Sequence, residues 1–322
     1  MTKPGSRINN EKLKNVVKTI GKIISILSIV FIGVKIYKLG FDTTVIDDIP
    51  VFIGISAGAV LLKMLSVVTS ASGWGRWISF LSGRKILFRD VFRIYGKAGI
   101  GKYLPGNVMH YVGRNVFAAE YGLSQKKIVA GTVMETLELI TSAVLMAVLL
   151  LPKSFISVIC DLVMQRKAVV VAILVFTGIV MLGAMYILIK KWKKIREWFA
   201  MYKTGDMIRV FILSLVEYIL TLGLLGFGLV ILWMYCTGRI PGTDDLKLMI
   251  SSYSTAWVCG FVIPGASGGI GIREAILTVL LDGIASGPVI MFIIIAHRLM
   301  TIIGDFAVYV LVSIRGKVTD VG

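Results

Sequence analysis

Apolar residues recur along most of this chain in stretches long enough to cross a lipid bilayer. A spanning helix needs about 20 consecutive, mostly apolar residues, because the hydrocarbon core is about 30 Å thick. The stretch Ala168–Ile189 contains no charged residue, and five others are nearly as apolar. The pattern predicts six spanning helices: Ile20–Leu39, Ile49–Thr69, Ile128–Leu151, Ala168–Ile189, Ile208–Met234 and Val289–Ile314.

Two further segments, Phe88–Tyr121 and Leu246–Leu281, are only partly apolar, and a Pro-Gly pair interrupts each of them. Each half-segment is too short to cross, and broken backbone at membrane depth is tolerated where it lines a cavity or is buried in protein. Corresponding breaks in two halves of a chain indicate an inverted repeat around a central binding site. The sequence therefore predicts an all-α polytopic membrane protein with about six spans and two re-entrant helical hairpins. We expect a single domain with repeat halves of about 1–125 and 126–322. Ordinary kinked spans or interfacial helices are the alternative.

The composition supports a membrane protein and adds an orientation. Apolar residues make up 57% of the 322 residues and charged residues 16%, yet the formal net charge is +17. A basic nucleic-acid-binding domain would be more polar, a disordered chain less hydrophobic, and a disulfide scaffold richer in cysteine. With both termini in the cytoplasm, 24 lysines and arginines fall in cytoplasmic loops and 5 in external ones, as the positive-inside rule requires. Such loops also attract anionic lipid headgroups.

The residues that follow each break have the chemistry of an anion site. A helix that begins there presents unpaired N–H groups, which favour anions. After the first break we expect three side chains on one helix face to bind a substrate phosphate: Asn107, His110 and Arg114. After the second break we expect a capping serine, two glycines and an arginine to do the same: Ser267, Gly268, Gly269 and Arg273. The alternative is a solvated cytoplasmic face and glycines that only permit tight packing. The glycines do not form a nucleotide motif, because no Lys-Ser/Thr follows them.

Ionisable residues inside the predicted spans are costly at membrane depth and mark functional sites. We expect a translocation pathway lined by residues of both signs: Glu135, Glu138, Glu217, Glu274, His297, Arg298 and Asp305. Glu135 and Glu138 share a helix face without a basic residue nearby in sequence. Arg298 and Asp305 lie seven residues apart and are candidates for a structural pair. Lys63 is expected to extend its ammonium to the end of its span.

No metal, cofactor or catalytic residue is predicted. The three cysteines, Cys160, Cys236 and Cys259, lack the spacing of a zinc site, and the chain contains only two histidines. The surroundings of Ser267 do not fit the Gly-x-Ser-x-Gly motif of a nucleophilic serine.

Two motifs in the broken segments are distinctive. The first is Gly101-Lys102-Tyr103-Leu104-Pro105-Gly106 followed by His110-Tyr111-Val112-Gly113-Arg114, and the second is Pro264-Gly265 followed by Gly268-Gly269-Ile270-Gly271-Ile272-Arg273-Glu274. Together they resemble the lysylphosphatidylglycerol synthase/flippase-type transmembrane domain family, which includes the membrane domain of multiple peptide resistance factor-like proteins. The resemblance covers nearly the whole chain, and Ala266-Ser267 is an insertion before the glycine pair.

The resemblance implies an integral protein of the prokaryotic cytoplasmic membrane that is linked to lipid translocation. In multiple peptide resistance factor, such a domain moves aminoacylated phosphatidylglycerol to the outer leaflet, and a separate soluble domain attaches the amino acid. The present chain is expected to be a stand-alone member without that synthase domain.

These observations predict flippase-like translocation of a phosphate-bearing lipid or lipid-linked saccharide between leaflets. Because no nucleotide motif is found, transport would be passive or ion-coupled. The expected partners are membrane lipids, either anionic or linked to a glycan, and not nucleic acid; a homo-oligomer is left open. The alternatives are a membrane-embedded transferase that modifies lipid headgroups and a secondary transporter of a small solute.

Overall fold

A computed structural model describes residues 46–103, 108–152, 204–262 and 267–314, and the regular secondary structure in these ranges is helical. The α-helices of the described residues are α1 (Ile49–Ser82), α2 (Phe88–Gly99), α3 (Met109–Glu120), α4 (Gln125–Leu149), α5 (Thr204–Thr237), α6 (Thr243–Val262), α7 (Ile272–Leu280) and α8 (Gly287–Ile314). Two short 3-10 turns, Ile100–Tyr103 and Ser267–Gly269, accompany them.

Four of the described helices, α1, α4, α5 and α8, are long and apolar enough to cross a membrane. The shortest has 25 residues, which at 1.5 Å per residue is about 37 Å and exceeds the hydrocarbon core. These helices confirm a helical chain that fits a multi-pass membrane protein, and each coincides with a predicted span. The other two predicted spans, Ile20–Leu39 and Ala168–Ile189, lie outside the described residues.

The distribution of side chains on the described helices suits a bilayer. Large apolar side chains such as Ile53, Val148 and Phe306 are well exposed, which suits contact with lipid. Small polar side chains such as Ser142 and Ser254 are fully buried between helices. Small and hydroxyl residues are the usual contacts between membrane helices, because they permit close approach and hydrogen bonding.

The ends of α1 follow from local sequence. The Asp48 carboxylate accepts the Val51 N–H at 3.0 Å, and Pro50 occupies the first turn, where its missing N–H has no helical partner to lose. Gly83 ends the helix with φ of 69°, a left-handed conformation that glycine adopts without strain.

Most of the described helices pack into one compact unit, formed by Met1–Leu150 and Leu213–Gly322, while Leu151–Ile212 form a second unit. Within the first unit, α1 packs against α2, α4 and α8, α6 packs against α4 and α7, α2 packs against α3 and α8, α3 against α4, and α7 against α8. Three close contacts join α5 to this group: Tyr218 against Gly73 of α1, Gly226 against Ile250 of α6, and Gly228 against His297 of α8.

Each of the two partly apolar segments is two helices rather than one. The first divides into α2 and α3, and the second into α6 and α7. The Pro-Gly pairs themselves, at 105–106 and 264–265, lie outside the described residues. The 3-10 turns next to the two breaks contact each other, so both broken segments converge on one region of the unit.

Candidate functional site

A cavity of about 150 Å³ lies where the two broken segments converge. All eight described helices contribute to its wall. Seven of the residues singled out by sequence line it: His110, Arg114, Glu135, Gly268, Arg273, Arg298 and Asp305. Five cationic side chains and two carboxylates face the cavity, and the cations are Lys63, Lys102, Arg114, Arg273 and Arg298.

Asp305 holds one cluster of charges on this wall. Its side chain is only 5% exposed, and its two oxygens lie 3.2 Å from Lys63 Nζ and 2.5 Å from Lys102 Nζ. The Tyr103 hydroxyl donates to the same carboxylate at 2.6 Å. The expected pairing of Arg298 with Asp305 is therefore wrong, because lysines from α1 and from the first 3-10 turn reach this carboxylate instead. Lys63 points into the protein, so the expectation that it extends to the end of its span is also wrong.

Burial lowers the pKa of Lys102 to about 7, although the Asp305 carboxylate opposes the shift. The pKa of His110, on the opposite side of the first break, is lowered to about 3 by burial and by the charges of Arg114 and Lys102. The His110 imidazole is therefore neutral at physiological pH, while the Lys102 ammonium titrates near physiological pH. A neutral histidine offers the cavity one hydrogen-bond donor and no charge.

Arg114 and Glu135 form a second, fully buried ion pair between α3 and α4. The Tyr95 hydroxyl donates to the other Glu135 oxygen at 2.7 Å, and the guanidinium lies 4.1 Å from the Tyr95 ring centre. Glu135 therefore has a basic partner, contrary to the expectation from its sequence neighbours. The packing of α3 against α4 brings the two residues together, although they are 21 residues apart in sequence.

Glu274 and Arg298 form a third ion pair, between α7 and α8, at 3.3 Å. The other Glu274 oxygen accepts the Gly271 N–H at 2.6 Å, and Arg298 donates to the Gly268 carbonyl at 2.8 Å. The first turn of α7 is thus partly satisfied by its own carboxylate rather than left open for an anion. This pair resembles Arg114–Glu135 with the charges exchanged. The short helix α3 supplies the cation of Arg114–Glu135, whereas the short helix α7 supplies the carboxylate of Glu274–Arg298.

Arg273 differs from the other cations of the cavity wall. Among the described residues it has no carboxylate within ion-pair distance, whereas each of the other four cations has one. Its buried Nε, like those of Arg114 and Arg298, has no hydrogen-bond acceptor. The side chain passes between Gly260 and Gly269, where an added Cβ would come within 2.6 Å of it at either glycine. Its guanidinium lies 5.6 Å from the Trp257 ring centre. Arg273 is therefore a cation held at the cavity without a counter-charge of its own.

Four of the predicted pathway residues, among them Glu274, are not part of the cavity wall. Glu138 is buried beside Trp77, and Glu217 forms an ion pair with Arg76 at 2.9 Å. His297 is buried, and its Nε2 donates to a backbone carbonyl of α5 at 3.0 Å. Glu217 and His297 connect helices in the described part of the chain, and neither they nor Glu138 line the cavity, so their place in a pathway stays a prediction.

The remaining predicted phosphate ligands are less fully described. Gly269 lies directly against Arg273, while Asn107 and the side chain of Ser267 lie outside the described residues. In the ranges that are described, no group of three or more His, Cys, Asp or Glu side chains is placed to hold a metal ion.

Several cavity residues were not predicted from the sequence. Lys102 and Tyr103 belong to the first motif, but nothing in their spacing indicates that they meet Asp305 across 200 residues. Trp257 and Gly260 lie near the end of α6, in a run from Ala256 to Val262 that contains no charged residue to mark a site. A lysine in the middle of a predicted span was the available signal for Lys63, because such a charge at that depth calls for a partner.

Comparison of the chain with protein-family models, curated proteins and solved structures finds no match. The resemblance to the flippase-type family therefore stays a prediction. What the structure supplies instead is the geometry of a cation-rich cavity inside a bundle of apolar helices.

Proposed function

We propose that this protein moves a phosphate-bearing lipid or lipid-linked saccharide between the leaflets of a membrane. The observation that carries the proposal is the cavity between the two broken segments, where five cations face two carboxylates. A lipid headgroup crossing a bilayer needs a polar site that replaces its lost water, and buried ions without partners are too costly to persist there without a role.

The free cation gives the site its ligand preference. The Arg273 guanidinium presents planar N–H donors that suit phosphate oxygens, and such charge-assisted bonds are about twice as strong as neutral ones. Arg298 lies against the adjacent glycine of the same turn, so both guanidinium groups border the same short stretch of backbone. A phosphate placed in the cavity would receive donors from both.

The packing supports an internal repeat as part of this proposal. Exchanging α1–α4 for α5–α8 turns the helix contacts into one another: α1 with α2 becomes α5 with α6, α4 with α6 becomes α8 with α2, and α3 with α4 becomes α7 with α8. The matching ion pairs Arg114–Glu135 and Glu274–Arg298 follow the same exchange. The described parts of the two halves are then 49–149 and 204–314. The boundary between the halves therefore falls after residue 149 rather than between residues 125 and 126.

We further propose that the two broken segments are re-entrant hairpins entering from opposite faces, in a protein of about six spans. Both termini lie in the cytoplasm, and the membrane is the prokaryotic cytoplasmic membrane, as the loop charges and the family resemblance suggest. Each hairpin is tied to the following span by a buried ion pair, Arg114–Glu135 or Glu274–Arg298, and Lys102 ties the first hairpin to Asp305 of α8 as well. Release of one pair at a time would open the cavity alternately to the two leaflets.

Leaflet exchange in proteoliposomes tests the proposal. The full chain is reconstituted with a trace of phosphatidylglycerol carrying a fluorescent acyl chain, and dithionite reports the fraction of label reaching the outer leaflet. Wild-type protein should make the internal label accessible, and Arg273→Gln should slow exchange on the order of tenfold, the loss of one charge-assisted contact. Arg89→Gln is the matched control, because Arg89 lies in α2 with a side chain 63% exposed. Exchange no faster than in protein-free vesicles would reject the proposed function.

A further inference from the structure

The cavity already satisfies each of its own carboxylates. Glu135 is paired with Arg114 and accepts from Tyr95, and Asp305 is shared by Lys63 and Lys102. Among the described residues that line the cavity, no carboxylate is left for an ammonium group on a ligand. A cationic headgroup would therefore have to displace a resident lysine or arginine.

The same wall has cations in excess. Lys63 and Lys102 share the single carboxylate of Asp305. Arg273 has no carboxylate partner in the described part of the chain, and Arg298 is neutralised by Glu274. While Lys102 is protonated, the imbalance amounts to two positive charges within one cavity, one beside each broken segment.

Two neighbouring glycines position the arginine side of this imbalance. Gly268 and Gly269 have φ values of 60° and 73°, which other residues adopt only with strain. An added Cβ would lie 3.1 Å from Arg298 Nη2 at the first glycine and 2.6 Å from Arg273 Nε at the second. The turn is thus shaped to let two guanidinium groups approach the backbone, which explains the glycine pair better than helix packing does.

We propose, on the basis of the proposed function above, that the headgroup carried by this protein is anionic and contains no amine, with a phosphomonoester or diphosphate preferred over a phosphodiester. Two uncompensated cations match two negative charges, and Coulomb attraction in a buried site exceeds that in water. An aminoacyl or ethanolamine group would place its ammonium among these cations without a free carboxylate to receive it. The inference therefore departs from the aminoacylated lipid that the family resemblance suggests.

The test compares headgroups on one acyl-labelled lipid in proteoliposomes of the full chain. The probes are phosphatidic acid, phosphatidylglycerol, phosphatidylethanolamine and lysyl-phosphatidylglycerol. We expect the fastest exchange for phosphatidic acid, a dianion, slower exchange for phosphatidylglycerol, a monoanion, and still slower exchange for phosphatidylethanolamine, a zwitterion. Exchange of lysyl-phosphatidylglycerol should be at least about tenfold slower than that of phosphatidic acid. Arg273→Gln should reduce the rate for phosphatidic acid more than that for phosphatidylethanolamine, while Arg89→Gln leaves the order unchanged.

A binding measurement separates this inference from the proposed function. Thermal stabilisation of the detergent-solubilised protein is recorded with short-chain versions of the same lipids and with inorganic phosphate. Stabilisation by phosphatidic acid but not by the lysyl lipid supports the inference even where no lipid is exchanged, in which case only the transport function fails. Equal stabilisation by inorganic phosphate and phosphatidic acid would support the anion preference and overturn the lipid as its source. Equal or faster exchange of the lysyl lipid would overturn the inference while leaving transport intact, and no stabilisation by any probe would overturn both.

Discussion

Replacing Asp305 by asparagine removes one negative charge while preserving the shape of the side chain. Lys63, Lys102 and the Tyr103 hydroxyl all meet this carboxylate, and they come from two different parts of the chain. The variant therefore leaves the ammonium groups of Lys63, 11% exposed, and Lys102, 28% exposed, facing a neutral amide. Breaking a buried pair in this way costs roughly 3–5 kcal/mol, because the uncompensated charge stays desolvated.

The structure favours the lower end of that range. The pKa of Lys102 already lies near 7, so this lysine can release its proton at little cost when its carboxylate is removed. We therefore expect Asp305→Asn to lower the free energy of unfolding by about 3 kcal/mol. Glu217→Gln provides the matched control, since its partner Arg76 has a side chain 42% exposed and exposed pairs contribute below about 1 kcal/mol.

The assay is unfolding of both variants and wild type in mixed micelles with increasing SDS, followed by tryptophan fluorescence. A loss for Asp305→Asn at least about twice that for Glu217→Gln agrees with a buried charge cluster. Equal losses, or an unchanged midpoint for Asp305→Asn, would refute the assignment of Asp305 as the counter-charge of the cavity.

Three further variants and one pH titration extend these expectations. In the same SDS unfolding assay, Gly73→Ala should destabilise the fold by roughly 1–3 kcal/mol, because its Cβ would lie 2.6 Å from the buried Tyr218 ring. Gly54→Ala in the same helix should be neutral or slightly stabilising, because its Cβ would have nothing within 4 Å. Binding of phosphatidylglycerol should weaken by up to about tenfold from about pH 6 to pH 8, because an anion binds better to protonated Lys102 and the pKa of Lys102 is about 7. Phosphatidylglycerol is a phosphodiester and does not itself titrate in this pH range. Lys102→Met should flatten that pH dependence in the thermal-shift titration, and a dependence that persists would exclude Lys102 as its source; His110, with a pKa of about 3, stays neutral throughout.

Much of the fold could be predicted because membrane helices follow from uninterrupted apolar length. The helix of the predicted span Ile49–Thr69 continues well beyond it, to Ser82, and that of Ile208–Met234 is a few residues longer at each end, Thr204–Thr237. Their ends were underestimated because charged and polar residues near a span end remain helical when neighbouring helices bury them. The Pro-Gly pairs predicted where the partly apolar segments divide, because proline cannot continue a helix.

The partners of the charged residues could not be predicted in the same way. Sequence spacing identifies neighbours on one helix, such as Arg298 and Asp305, but the bundle pairs residues that are far apart, such as Lys102 with Asp305. Helix packing decides these partners, and no local pattern encodes it. The glycine pair at 268–269 was predicted as a permissive turn, yet its role in admitting two guanidinium groups depends on how α7 and α8 place Arg273 and Arg298.

Site-mapped photo-cross-linking tests most directly whether a lipid headgroup occupies the cavity between the broken segments. Phosphatidic acid with a diazirine near its headgroup is reconstituted with the full chain, irradiated, and its adducts are located by mass spectrometry. The structure predicts adducts on cavity residues such as Tyr95 and Trp257, lost on competition with unlabelled phosphatidic acid and reduced in Arg273→Gln. Adducts confined to outward-facing positions such as Leu61 and Phe306, which are 58% and 59% exposed, would contradict a headgroup site in the cavity.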